Sequence, residues 1–190
     1  MANSERRRLS RADVVETALE LIDTEGVRAC TMRAVAGRLG VEAMSLYWHV
    51  ENKQALLDAV VERVIAGAAV DAEGGHATEW QDVMREYARR IRRMLHAHPN
   101  LVGLMVERAG VLFSHSESQV EEALGLLEEA GFSRPDAVRI VRAVIRVAFG
   151  TTMVELGATP GSAHVPIPAG LAVDPEVLFE SIVDSLVTGI

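Results

Sequence analysis

One cysteine, six prolines and a 4% share of aromatic residues in 190 positions exclude several kinds of protein at once. Cys30 has no second thiol for an internal disulfide and cannot build a Cys-based zinc site, so a reducing compartment is expected. Proline and glycine are too sparse for a collagen-like or low-complexity chain. No apolar run is long enough to cross a bilayer, and the opening MANSERRRLSRAD lacks the apolar stretch of a signal peptide. The expectation is a cytoplasmic protein without a membrane partner. Its length suits one compact domain, or a small module joined to a medium one. What is abundant is aliphatic: hydrophobic residues make up 49%, mostly Ala, Val, Leu, Ile and Met.

A net charge of −8 argues against nucleic acid as a partner until it is divided along the chain. Residues 1–65 hold nine basic residues against ten acidic, whereas the remainder holds ten against seventeen. At the start, Arg6, Arg7, Arg8 and Arg11 face only Glu5. A basic arm, a nearly neutral module and an acidic body follow one another.

The apolar periodicity is helical throughout, with no convincing strand. Ser10 precedes, and Asp13 sits where an acidic third residue helps to cap, a helix that Gly26 stops. Thr31 caps a short second helix closed by Gly40, and a third is expected over about 42–49. Asn52 caps a fourth with Leu56, Leu57, Val60 and Val61 inward. The polar run Asp71–Ala77 is the expected boundary, giving domains 1–70 and 71–190. Beyond it, Thr78 and Gln81 read as a capping box for a helix to about Ala97. Further helices are expected over about 101–108, 118–130 and 135–156. A Pro/Gly loop follows over 158–173, and Asp174 with Pro175 opens the last helix.

Residues 32–49 carry the sharpest signal. Small Ala36, then Gly40, then Leu46 are spaced for two short helices in close approach around a left-handed turn, which is a helix-turn-helix. The second helix of such a pair fits the DNA major groove. Here it bears Ala43, Met44, Ser45, Tyr47, Trp48 and His49, more bulk than one core face absorbs. Aromatics and hydroxyls suit phosphate oxygens, sugar edges and thymine methyls. Arg33 is placed for a bidentate contact with guanine, and Thr31 and Lys53 sit at helix starts suited to phosphates. Taken alone, Tyr47 and Trp48 read equally as core aromatics and Arg33 as a solvated surface residue.

The stretch LGVEAMSLYWHVENKQALLDA, from Leu39 to Ala59, resembles the DNA-binding module of the tetracycline-repressor (TetR) family. Looser likeness to that family's tetracycline-repressor type of C-terminal domain covers Glu79–Asp82, Phe149–Glu155 and Asp174–Phe179. The resemblance implies an all-α fold: a three-helix N-terminal domain with the helix-turn-helix, a connecting helix, and a helical ligand-binding and dimerisation domain. It implies DNA contacts from Thr31, Arg33, Ala43, Met44, Ser45, Tyr47, Trp48, His49 and Lys53. Ala43 stands where the tetracycline repressor has a glutamine, and Met44 where it has a proline. Alanine cannot pair with adenine as glutamine does, so a different operator is expected.

In the body, the helix from Pro135 to Leu156 is apolar apart from a stripe of Arg139, Arg142 and Arg146, and the last helix has a broad apolar face. Both suggest an interface between identical subunits; a large monomeric core is the alternative. A homodimer implies a palindromic operator in double-stranded DNA. The resemblance also implies a small-molecule effector, with a lining expected from Met84, Tyr87, Met94, Leu101, Leu104, Met105, Leu112, Phe113, Val144, Phe149 and Met153. Tetracycline is not the expected effector, because the drug-binding and magnesium-binding histidines of the tetracycline repressor fall near Ala69 and Met105. His96 and His98 point apart on a helix, so no metal and no cofactor are expected. The cluster Arg89, Arg90, Arg92 and Arg93 could extend the DNA footprint, attract an anionic ligand or balance Glu121, Glu122, Glu128 and Glu129, and the last is the expectation.

The reading is a ligand-responsive DNA-binding transcriptional repressor and not an enzyme. Against catalysis, there is no Gly-rich phosphate loop, nucleophile elbow or two-histidine zinc motif. A helical enzyme, or an interaction module without DNA, is the competing class.

Overall fold

A computed structural model describes residues 9–67, 79–108, 117–157 and 173–189. Every regular element among them is helical: α1 (Arg11–Glu25), α2 (Met32–Leu39), α3 (Ala43–Leu46), α4 (Lys53–Gly67), α5 (Trp80–Ala97), α6 (Val102–Glu107), α7 (Glu117–Glu129), α8 (Arg134–Glu155) and α9 (Pro175–Thr188). A 3-10 turn over Pro99–Leu101 leads into α6. No described helix is long and apolar enough to cross a membrane. The chain forms two compact units, Met1–Arg63 and Val64–Ile190.

The first unit follows from local chemistry. The Ser10 hydroxyl accepts from the Asp13 amide while the Asp13 carboxylate accepts from the Ser10 amide, so two orphan donors of α1 are satisfied reciprocally. Gly26, at φ 83°, ends the helix. Val14, Ala18 and Ile22 recur on one stripe and are fully buried with Val35, Leu46, Leu56 and Val60. Outside this core, Arg63 reaches Glu16 at 3.0 Å and Arg11 reaches Glu62 at 3.7 Å, joining α1 to the second half of α4.

In the second unit, α5, α8 and α9 pack against one another. Trp80 meets Phe132 edge-on at 5.0 Å at one end. At the other, Arg92 and His96 both reach Glu155, at 3.2 and 2.9 Å. These contacts make α5 and α8 parallel. Arg85 pairs with Asp184 and Arg89 with Glu180, so α9 runs antiparallel to both. Phe179 is buried against the Arg92 guanidinium, 5.2 Å from the ring centroid, a cation–π contact.

Several expectations shift. The helix α5 starts at Trp80 with Glu79 at its cap and no side-chain cap bond; Gln81 is inside it, and Thr78 lies outside the described residues. The third helix is one turn, Ala43–Leu46, because the chain then tightens into i→i+3 bonds from the Tyr47 and His49 amides. The arginines of α5 are balanced by Glu180, Glu155 and Glu86, not by the acids of α7, of which Glu121 and Glu128 hold Arg134. The stripe of α8 buried within one chain is Ala137, Ile140, Val141, Val144, Ala148 and Thr152, one face rather than most of the circumference. Arg6–Arg8, Asp71–Ala77, His76, His115, His164 and the 158–172 loop lie outside the described residues.

Candidate nucleic-acid interface

Backbone chemistry between Thr31 and Lys53 builds a projecting turn. The Thr31 hydroxyl accepts from the Ala34 amide at 3.1 Å and starts α2. Gly40 closes it with φ 66° and ψ 32°, a left-handed conformation that a side chain resists. The Val41 amide then donates to the Ala36 carbonyl at 3.0 Å, completing the reversal. Ala36 is buried and small, which lets α3 approach α2.

Leu46 and Val50 are the inward anchors of this segment, at 0% and 5% exposure. With those positions committed to the core, the intervening side chains must point away. Met44 is 70%, Tyr47 47% and Trp48 89% exposed. So much exposed apolar surface on so short a stretch is a mark of a binding site rather than of packing. The core-aromatic alternative for Tyr47 and Trp48 therefore does not hold for this chain. Ala43, Ser45 and His49 are half-buried beside them.

The cationic groups flank this ridge. Arg33 is exposed on α2 and forms no ion pair among the described residues, whereas Arg38 on the same helix is held by Glu25. Lys53 opens α4, where the Asn52 side chain accepts from the Ala55 amide at 2.9 Å. Cys30 links the two helix starts. Burial pushes its thiol up from the ordinary value, and the nearby Lys53 charge partly opposes that shift. Thr31 and Arg33 thus precede the exposed aromatic stretch in the chain and Lys53 follows it, and each of the nine expected contact residues has a solvent-accessible side chain. Such an arrangement offers amides and cations for phosphates, and side chains for groove edges.

The expected effector lining is less uniform. Met84, Leu101, Leu104, Met105 and Val144 are buried in the second unit, while Tyr87, Met94, Phe149 and Met153 are half-buried. Burial pushes the Tyr87 hydroxyl above its usual value. Leu112 and Phe113 lie outside the described residues. Among the described residues, no three His, Cys, Asp or Glu groups gather as metal ligands do, and His96 is engaged with Glu155.

One concave site was not anticipated. Phe132, Asp136, Arg139, Ile140, Ala143 and Leu186 line an open groove of about 520 Å³ between α8 and α9. The Arg85–Asp184 and Arg89–Glu180 rungs were also missed, although arginines four apart facing acids four apart was a readable signal.

Comparison with known proteins places both units. Residues 14–60 match the family model for bacterial regulatory proteins of the tetR family, and residues 74–165 match the tetracyclin repressor-like C-terminal domain. Tetracycline repressor protein class D of Escherichia coli is 33% identical over 77% of this chain, a match that spans 66%, just under two thirds, of its own length. The class E repressor of Escherichia coli is 32% identical over 78% of this chain and 69% of its own. Among solved structures, a TetR variant from Acinetobacter baumannii AYE in complex with minocycline superposes with a TM-score of 0.73. It is 26% identical, with 96% of each chain covered.

Proposed function

Because the chain belongs to the TetR family of bacterial regulatory proteins, we propose that it is a homodimeric transcriptional repressor of a palindromic operator, released by a small-molecule effector. The observation that carries this reading is the ridge of Met44, Tyr47 and Trp48, exposed while Leu46 between them is fully buried. In the working division, residues 1–70 read DNA and residues 71–190 bind effector and partner. The location that suits this work is the cytoplasm.

Thr31, Ser45, His49 and Lys53 hold the phosphate backbone, fixing register without reading sequence. Arg33 reads a guanine edge, and Ala43, Met44, Tyr47 and Trp48 present apolar surface to thymine methyls and sugars. The acidic second unit stays away from the phosphates. Two-fold symmetry places the two half-sites about 34–36 Å apart.

Release requires that the effector prefer the conformation that fits DNA poorly. Moving the equilibrium from almost all bound-competent to almost all released takes about 5.5 kcal/mol of differential affinity. The relative above was solved with minocycline, but this chain has Ala69 and Met105 near the positions of the tetracycline repressor's drug and magnesium histidines. The effector proposed is therefore an apolar molecule other than tetracycline, bound without a metal or cofactor.

The test is selection of duplexes by the purified chain, followed by screening of small molecules for release. Binding is expected to fall steeply with salt as counterions are released. A salt-independent interaction, or none with duplexes from its own promoter region, would leave an enzyme or a DNA-free interaction module as the better reading.

A further inference from the structure

Counted by themselves, residues 9–67 are acidic, with six basic residues against nine acidic. A unit of that sign holds a phosphate backbone only through cations that its own acids leave uncommitted. Three of the six are committed: Arg11 to Glu62, Arg38 to Glu25 and Arg63 to Glu16. The other three, Arg28, Arg33 and Lys53, form no ion pair among the described residues. Arg33 and Lys53 already have a place at the interface, and Arg28 has none. It sits in the turn between α1 and α2. There the Ala29 amide donates to the Gly26 carbonyl at 3.1 Å and the Cys30 amide to the Val27 carbonyl at 3.2 Å, closing the turn on its own backbone. Cys30 is fully buried, whereas Arg28 is exposed. Three residues later Thr31 caps α2, so the two Cα atoms are at most about 11 Å apart. The Lys53 charge acts on the Cys30 thiol, which brings the start of α4 to the same turn. All three uncommitted cations of this unit therefore gather about the two helix starts.

We propose that Arg28 is a further phosphate contact, holding the DNA backbone beside the phosphate taken at Thr31 and adding one phosphate to each half-site. The proposal rests on the DNA-binding reading above and extends its contact set beyond the nine residues. In helix-turn-helix docking the first helix of the pair crosses the backbone while the second enters the major groove. A cation on the turn just ahead of that first helix meets phosphate oxygens rather than base edges. It fixes position and carries no sequence information. The guanidinium offers two parallel N–H donors to one phosphate. Most of its effect comes from the counterions that its charge releases, so a lysine at this position keeps most of that effect.

Anisotropy titrations across salt test this, with the full chain and a duplex that the wild-type chain has selected from random sequence. Arg28→Gln is expected to weaken selected and unrelated duplexes alike and to leave the selected sequence unchanged. Its salt slope should be lower by about 0.9 per chain. Between about 50 and 200 mM salt the gap between wild type and variant then narrows about threefold per chain. Arg28→Lys is expected to keep the slope, and thermal melts of both variants should match the wild type. Arg63→Gln is the control for charge alone, since it removes the same charge from the same unit at a residue paired with Glu16. It should lower the slope far less. A slope unchanged in Arg28→Gln, or lowered equally in Arg63→Gln, would overturn the contact. An altered selected sequence in Arg28→Gln would overturn its assignment to phosphate. If the wild-type chain selects no duplex at all, the DNA-binding reading falls and the contact falls with it.

Discussion

Arg89 grips Glu180 through two hydrogen bonds, 2.8 and 2.7 Å long, that tie the first helix of the second unit to its last. The residues are ninety-one positions apart, yet the fork of the guanidinium meets both carboxylate oxygens. One turn away, Arg85 reaches Asp184 through the single oxygen Oδ1.

That geometry predicts a pH dependence. The Arg89 hydrogen bond holds the Glu180 carboxyl below its usual range, with burial opposing. A depressed folded value means stability that is fully present above the unfolded value and lost as pH falls through the folded one. Both side chains are more than a third exposed, so the pair contributes only about 0.5–1 kcal/mol. Glu180→Gln should lower urea stability by about that amount at pH 7 and by nothing well below pH 4. An equal loss at both pH values would show that the bond is not electrostatic.

Gly40 should resist replacement although no atom blocks it. A Cβ there meets nothing within 4 Å, so the cost of Gly40→Ala is conformational, about 1–2 kcal/mol for the left-handed backbone. Gly40→Asn, which tolerates that region, should lose less. Urea midpoints of the two variants decide the matter, and equal losses would show that side-chain size matters instead.

Trp48 and Leu46 separate binding from folding. With Trp48 89% exposed, Trp48→Ala should change stability by less than about 0.5 kcal/mol while weakening DNA binding. Leu46→Ala opens the core and should cost about 2–5 kcal/mol of stability. Thermal melts beside anisotropy titrations show both effects. A Trp48→Ala protein with full DNA affinity would remove the ridge from the interface.

Arg33→Ala should cost about 1–3 kcal/mol in operator affinity and relax the base preference at one position per half-site. Lys53→Ala should instead weaken all sequences alike and lower the salt slope by about 0.9 per chain. Binding-site selection on each variant, with titrations across salt, distinguishes a base contact from a phosphate contact. An unchanged preference in Arg33→Ala would make it a phosphate clamp.

Thr152→Val should be neutral or stabilising. The Thr152 hydroxyl is fully buried on α8 and has no hydrogen-bond partner among the described residues, although neighbouring Thr151 donates to the Val147 carbonyl at 2.7 Å. Removing an unsatisfied group of the same shape returns up to about 1 kcal/mol. A measured loss of stability would mean that the hydroxyl is paired in solution.

What the sequence determined by itself is whatever depends on neighbours within about four positions. The Ser10–Asp13 box, the Thr31 and Asn52 caps, the Gly40 turn and the Asp174–Pro175 helix start all form where the residue types place them. Each bond spans one helical turn, so local order suffices. The motif Leu-Tyr-Trp-His-Val also disclosed the family, because a reading turn must keep its side chains in a fixed order.

Only the tertiary structure decided which side chains face water. Tyr47 and Trp48 read as core or as surface until Leu46 and Val50 are seen to occupy the interior. The arginines of α5 had acids to choose from on several helices, and the packing of α9 and α8 against α5 selected Glu180, Asp184 and Glu155. The groove between α8 and α9 is built from residues more than forty positions apart in the chain, such as Ile140 and Leu186. Partners so distant are chosen by the packing of whole helices, which burial drives without regard to sequence distance, and no local pattern encodes that choice.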